Sequence, residues 1–343
     1  MKRNTIGLDL AKSIFHAVGF DHRGKQIFRK QLRRKQVASW FAQQPVSLVG
    51  VEACGGSHYW ARTLMALGHE VKLIAPQHIK AYLRAQKNDY NEAAAIGEAV
   101  ASPRMRFVPI KSAAQLDLQA LQRLRTRLIR ERTALSNQLR GLLAEHGIVI
   151  PRSLAILRRR LPELLEDADN GLSVFFRRLL HTGWQHLLQI EDQVKILDRE
   201  LDTAAAEDED CRRLMTIPGF GPVVASGFSV AVGDGRCYRR GRDVSAVLGL
   251  VPRQHTTGGK PKLLGISKRG DNLLRVNLIQ GARSVLIHAK GKDDPLCRWA
   301  LKVCVERGFN KATVAVANKL ARIGWAVLRN QCTYQPGYRL HTR

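Results

Sequence analysis

The spacing of apolar residues changes once along this chain, near residue 112, and that change restricts the fold more than any other feature. Before it lie short apolar runs of strand length, at residues 5–10, 15–20, 47–51 and 70–74. The cluster Asp21-His22-Arg23-Gly24 separates the second run from Lys25-Gln26-Ile27-Phe28 and reads as a hairpin turn. Residues 59–67 fit a helix that stops at Gly68. Strands alternating with helical patterns predict an α/β part over residues 1–110, a mixed sheet covered by helices.

After the change, Leu121, Leu124, Leu128, Leu135, Leu139 and Leu142 recur at steps of three, four and seven, a helical stripe of coiled-coil type. Arg123, Arg125, Arg127, Arg130 and Arg132 occupy its other faces, as a solvated surface or as a contact for a polyanion. Pro151 breaks the pattern, and a second helix is expected over 184–206, with Leu187, Ile190, Val194, Leu197 and Leu201. Two long helices joined by an irregular segment predict a coiled-coil part over 111–206, as an antiparallel hairpin or a dimerising coiled coil. The acidic patch Glu207-Asp208-Glu209-Asp210 marks the next boundary, and 207–343 reads as mostly helical. Its glycine-rich turn Ile217-Pro218-Gly219-Phe220-Gly221-Pro222 could offer backbone N–H groups to a phosphate.

Charge narrows the function. The chain holds 56 Lys and Arg against 29 Asp and Glu, a net charge of +27. Such an excess, spread along the sequence, implies a polyanionic partner, because each neutralised phosphate releases counterions. No apolar run approaches the ~18 residues of a membrane span. Lys2 and Arg3 precede an apolar stretch, but Asp9 and Lys12 interrupt it too early for a signal peptide. The six cysteines form no CxxC pair, which argues against zinc and for a reducing cytoplasm.

Carboxylates stand where apolar residues are expected. Asp9 lies inside Ile6-Gly7-Leu8-Asp9-Leu10, and Glu52 ends Leu48-Val49-Gly50-Val51-Glu52. Asp89 and Glu92, three residues apart, share one face of a helix. Four converging acids would repel one another unless a hard cation, Mg²⁺ or Mn²⁺, offset their charge. Two such ions can clamp the attacking and leaving oxygens of a phosphodiester displacement. Taken separately, a strand Asp can be a turn residue, and Asp89 with Glu92 an ordinary helix start.

Several motifs occur in one order: Ile6-Gly7-Leu8-Asp9-Leu10-Ala11-Lys12, Val51-Glu52-Ala53-Cys54-Gly55 and Lys87-Asn88-Asp89-Tyr90-Asn91-Glu92-Ala93. Further along come the 217–222 turn, Leu248-Gly249-Leu250-Val251-Pro252, Thr256-Thr257-Gly258-Gly259-Lys260 and Gly265-Ile266-Ser267-Lys268-Arg269-Gly270, then Asn310-Lys311-Ala312 and residues 320–326. Together they resemble the DEDD transposases of the insertion-sequence family called one-ten, closest to its eleven-eleven branch, a family that includes the Piv invertase. The resemblance implies an RNase H-like (RuvC-like) N-terminal domain whose acids, here Asp9, Glu52, Asp89 and Glu92, bind Mg²⁺. It implies a coiled-coil linker and a mostly helical C-terminal transposase domain. It further implies a recombinase guided by an element-encoded noncoding RNA that pairs with donor and target DNA. In the family a serine just before a glycine attacks DNA and forms a covalent intermediate.

The sequence departs from that pattern twice. Its last acid is Glu92 where the family has Asp, and the serine position falls on Thr257, beside Thr256. A threonine hydroxyl can attack, but its methyl group crowds the approach. Thr257 or Thr256 would be the nucleophile, or the site is impaired; Ser267 is a further hydroxyl ten residues on. Lys260, Lys262, Lys268, Arg269 and Arg275 surround the segment and are expected to contact phosphates, as are Arg123, Arg127 and Arg130. The metal-binding domain of one subunit and the hydroxyl of another are expected to act together, in a homodimer that assembles to a tetramer on DNA. The expected setting is a bacterial cytoplasm, close to the nucleoid. The alternatives are a RuvC-like junction nuclease that uses metal-activated water and an impaired RNA- or DNA-binding protein.

Overall fold

The structure is a computed structural model that describes residues 3–83, 86 and 88–337; Lys2 and Lys87 lie outside the described residues. The chain forms two compact units, one of residues 1–116 with 231–244, the other of 117–230 with 245–343.

The first unit is built in chain order from β1 (Thr5–Asp9), β2 (Ile14–Phe20), β3 (Gln26–Arg33), α1 (Val37–Ala42), β4 (Leu48–Glu52), α2 (Ser57–Ala66), β5 (Glu70–Ile74), α3 (Pro76–Ile79), α4 (Asp89–Ala101) and β6 (Phe107–Val108). Its six-stranded sheet has the order β3-β2-β1-β4-β5-β6. The β1–β2–β3 meander is antiparallel, whereas β1, β4 and β5 run parallel. Period-two alternation sorts the strand residues onto two faces. Ile6, Leu8, Phe15, Ala17, Val49, Val51, Val71 and Leu73 turn to one face, where Phe41 of α1 and Trp60 and Leu64 of α2 complete the core.

The other face is cleared for α4 by glycine. A Cβ on Gly7 would stand 1.9 Å from the Ala93 carbonyl oxygen, and one on Gly50 would stand 2.8 Å from Val100 Cβ. Only glycine in β1 and β4 lets this alanine-rich helix lie directly on the sheet. Val18, Phe20 and Ala93 close one end of that contact, and Ile74, Ile96 and Val100 the other.

Beyond β6 the chain is mainly helical, most of it in the second unit: α5 (Ala113–Ala144), α6 (Leu154–Glu166), α7 (Val174–Glu207), α8 (Glu209–Met215), α9 (Pro222–Val232), α10 (Gly241–Val247), α11 (Asn272–Ile287), α12 (Pro295–Arg307) and α13 (Phe309–Asn330). An antiparallel pair, β7 (Pro252–Thr257) and β8 (Lys260–Ile266), interrupts the helices. The long helices α5 and α7 run antiparallel, with Arg125 paired to Asp198 near one end and Leu139 against Gly183 further along.

Two details differ from the sequence reading. Leu124 and Leu142 are exposed, at 57% and 40%, and the buried line of α5 runs instead through Ser136, Leu139 and Leu143. That face is set by what packs on it: Leu157, Leu161 and Leu164 of α6 with Leu180, Trp184 and Leu187 of α7. The joining segment is accordingly not irregular, because α6 carries its own apolar stripe and is capped by Ser153, which accepts from Ile156 N at 3.3 Å. The 217–222 turn is also closely packed at one point, since a Cβ on Gly219 would meet the Gly281 carbonyl oxygen at 2.6 Å, whereas one on Gly221 would meet nothing within 4 Å. Among the described residues no helix is long and apolar enough to cross a membrane.

Candidate metal centre and hydroxyl hairpin

The alternation that buries Ile6 and Leu8 on one face turns Asp9 to the α4 face, two residues beyond Gly7. Glu52 stands in the same relation to Gly50. Parallel pairing of β1 with β4 matches Leu8 to Val51, so Asp9 and Glu52 follow side by side at the carboxyl ends of adjacent parallel strands. Such ends are where open α/β sheets place their ligands. The first turn of α4 contributes Asp89 and Glu92, where the positive end of the helix dipole favours acids. Asn88 fixes that helix start by accepting from Asn91 N at 2.8 Å.

The electrostatics register the convergence. Asp9 is pushed from 3.8 up to about 6, first by burial, then by the negative charges of Glu92, Asp89 and Glu52. Cys54 is raised too, by burial and then by Glu52 and Asp9. Among the described residues, one group that could hold an ion is not of carboxylates alone: ligand atoms of Asp9, His16 and Asp89 all lie within 4.8 Å of one another. His16 is the residue that sequence reasoning missed. The antiparallel register sets it directly opposite Asp9, on the same face. Two neighbouring strands joined by a short connection, one with Asp and one with His near that connection, were the available signal.

These residues fit a divalent cation on structural grounds. A half-buried carboxylate is held against three others, and a buried imidazole nitrogen beside them lacks a hydrogen-bond partner. A divalent cation that accepts both oxygen and nitrogen donors satisfies both conditions.

The hydroxyl candidates lie on β7, within a hairpin the sequence reading did not anticipate. Thr257 and Lys260 flank the two-residue loop Gly258-Gly259, whose φ values of 56° and 75° require glycine in a turn of this hand. Every residue from 252 to 265 is exposed. Pairing sets Thr257 opposite Lys260 and His255 opposite Lys262, so these four share one face. Thr256 stands on the other face, opposite Pro261, and its Oγ1 accepts from Gln254 Nε2 at 2.9 Å.

Lys268 and Arg269 are exposed beyond the hairpin, and Arg123, Arg127 and Arg130 are exposed on α5. Arg275 departs from the expectation of a phosphate contact. It is 5% exposed, and its guanidinium donates to the Leu248 and Arg269 carbonyls at 3.1 and 2.9 Å and to Asn272 Oδ1 at 2.7 Å. A buried guanidinium with these three hydrogen bonds holds the backbone crossing of residues 248 and 269. Ser267 Oγ is buried.

Known proteins carry the same two regions. Residues 6–148 match a DEDD transposase family model of the IS110 type, described as Transposase, and residues 211–295 match one described as Transposase IS116/IS110/IS902 family. The class is therefore that of transposases, enzymes that recombine DNA. The chain is 43% identical to the transposase for insertion sequence element IS1111A of Coxiella burnetii, over 97% of this chain and 91% of that one. It is 44% identical to a probable family 20 transposase of Pseudomonas aeruginosa, over 98% and 100% of the two chains. A pilin gene-inverting protein of Moraxella bovis is 24% identical over 96% of this chain and 97% of its own. The chain belongs to the IS110 family of transposases.

Proposed function

We propose that this transposase cuts and exchanges DNA strands with a divalent ion held by Asp9, Glu52, Asp89 and Glu92 and with the Thr257 hydroxyl as nucleophile. The observation that carries the metal half is the convergence of acids at the carboxyl ends of β1 and β4, where burial first and then the charges of Glu92, Asp89 and Glu52 push Asp9 to about 6. The strand order, an antiparallel meander leading into parallel strands, supports an RNase H-like reading of residues 1–110. We assign 111–206 as the helical linker and 207–343 as the domain that carries the hydroxyl.

Bound Mg²⁺ or Mn²⁺ supplies Lewis acidity to the phosphodiester. The chain's own residues do the rest. Thr257 is favoured over Thr256 because it shares its face with Lys260, Lys262 and His255, whereas Thr256 already bonds Gln254. The basic face draws a backbone phosphate to the hydroxyl. Oγ1 of Thr257 forms a bond to phosphorus as the P–O3′ bond breaks. The hydroxyl proton passes to solvent, and the departing 3′ oxygen takes one up. One ester replaces another, so the bond energy is kept for rejoining. Lys268, Arg269, Arg123, Arg127 and Arg130 contact phosphates of DNA or of a noncoding guide RNA, consistent with the net charge of +27. Two duplexes must be joined, which favours a homodimer assembling to a tetramer.

Asp9→Asn is expected to abolish recombination with the fold retained by circular dichroism; wild-type activity would end the metal reading. Thr257→Ala should remove a covalent protein–DNA adduct trapped on denaturing gels, and Thr257→Ser should keep it. An adduct that survives in Thr257→Ala moves the nucleophile elsewhere. Metal-dependent cleavage with no adduct in the wild type would mark a water-using nuclease.

A further inference from the structure

The metal reading of the four acids leaves one buried group at the same sheet edge without a role. His16 is 7% exposed, and its Nδ1 lies 3.5 Å from Asp89 Oδ2 without hydrogen-bond geometry. We propose that His16 gives an imidazole nitrogen to the divalent-ion site, making it a mixed nitrogen–oxygen site that favours Mn²⁺ over Mg²⁺. The inference rests on the metal reading above.

Position and packing aim the ring. His16 is the cross-strand partner of Asp9, so the two side chains leave the sheet on one face. Tyr90, one residue after Asp89, packs against the imidazole edge-to-face, with centroids 4.7 Å apart and planes at 74°. Arg29 lies over the far ring of that pair, 5.9 Å from the Tyr90 centroid. The ring is thus held on the sheet side of the acids, while Asp89 reaches in from the helix.

The spacing suits one ion. Neighbouring ligands of an octahedral ion at about 2.1 Å stand about 3 Å apart, and opposite ligands about 4 Å. The Nδ1–Oδ2 separation of 3.5 Å and the 4.8 Å limit for Asp9, His16 and Asp89 fall close to that range. An unsatisfied buried nitrogen is unfavourable, and coordination removes the penalty. Mg²⁺ prefers an all-oxygen octahedron with several waters, whereas affinity for nitrogen donors rises along the first-row divalent series from Mn²⁺. A nitrogen ligand among carboxylates therefore changes which ion the site prefers, without changing its charge.

The test uses the full chain with Mn²⁺ alone, then with Mg²⁺ as competitor. Pulsed electron paramagnetic resonance reads hyperfine coupling from nitrogen bound directly to Mn²⁺, which a merely structural histidine does not give. The wild type should show this coupling. His16→Gln should retain Mn²⁺, lose the coupling, and lower the Mn²⁺-over-Mg²⁺ preference about tenfold. His16→Asn serves if the Gln variant fails to fold. Coupling that persists in the variant, or Mn²⁺ that binds the wild type and is released by Asp9→Asn yet shows no nitrogen, overturns the role of His16 and leaves the four-acid site standing. Wild-type protein that binds no Mn²⁺ overturns both.

Discussion

The two regions of the proposed site are held in opposite ways. Around Asp9, a six-stranded sheet is covered on one face by a dense apolar core and on the other by a helix admitted only through glycine contacts. Around Thr257 there is a two-stranded hairpin, exposed at every residue from 252 to 265 and set by a Gly-Gly turn. A group whose charge must be held against repulsion needs neighbours that cannot move away. A hydroxyl proposed to meet a bulky duplex needs open space. Asp9 stores unfavourable electrostatics inside a packed frame, whereas the hairpin stores almost nothing.

The largest expected effect breaks the frame on one side and leaves the other untouched. Gly7→Ala drives a methyl group into the Ala93 carbonyl and the backbone of Gly97. Overpacking against main chain should destabilise the protein by about 3 kcal/mol and remove divalent-ion binding with it. Gly258→Ala meets nothing within 4 Å and suffers only its positive φ, so it should lose about 1 kcal/mol. Urea unfolding of the two variants decides; equal losses would mean that α4 is not locked on β1.

Arg275→Ala sharpens the comparison inside the second unit. It strips two carbonyls and Asn272 of their donor, a loss of about 2 kcal/mol in the same unfolding assay. A variant as stable as wild type, with weakened DNA binding instead, would return Arg275 to the phosphate contacts.

Next in size is the charge held at the acid edge. Because the folded protein raises Asp9 from 3.8 to about 6, it binds that proton more tightly than the unfolded chain. Stability from this group is present below pH 4 and is lost as pH rises through 6. In chelator, Asp9→Asn should therefore be more stable than wild type by about 1–2 kcal/mol at pH 7.5, after solvent screening, and no more stable at pH 4. Added Mn²⁺ should raise the melting temperature of the wild type alone. A gain that does not depend on pH would show that Asp9 carries no stored repulsion.

The same contrast explains what the sequence made legible. β1, β4 and β5 were readable because buried strands write continuous apolar runs, and Asp9 and Glu52 were conspicuous as exceptions within them. His16 was not conspicuous, since its meaning depends on a pairing register between two strands, not on its neighbours in sequence. The β7–β8 hairpin was missed because it buries nothing: with no core face to satisfy, its strands carry Arg253, His255, Thr257, Lys260 and Lys262 without apolar alternation. Its one local sign is Gly258-Gly259, a pair that fits the turn of a hairpin. α6 was not legible because Pro151 ends the leucine pattern before it and Pro162 interrupts its own stripe.

The smallest effect tests whether the hairpin's emptiness is itself functional. Lys262 is exposed on the face of Thr257 and packs into no core, so Lys262→Ala should change folding stability by less than about 0.5 kcal/mol. If that face receives a backbone phosphate, the loss appears elsewhere. Binding to duplex DNA should weaken to a similar degree on unrelated sequences, and the salt dependence of log K should become shallower by about 1. Leu263→Ala, on the Thr256 face and 67% exposed, removes as much side chain but no charge, and its salt slope should match wild type. A Lys262→Ala slope equal to that of Leu263→Ala would mean that the two faces of the hairpin are equivalent. Thr257 would then lose its electrostatic advantage over Thr256, leaving only the Gln254 hydrogen bond to Thr256 to distinguish the two exposed hydroxyls.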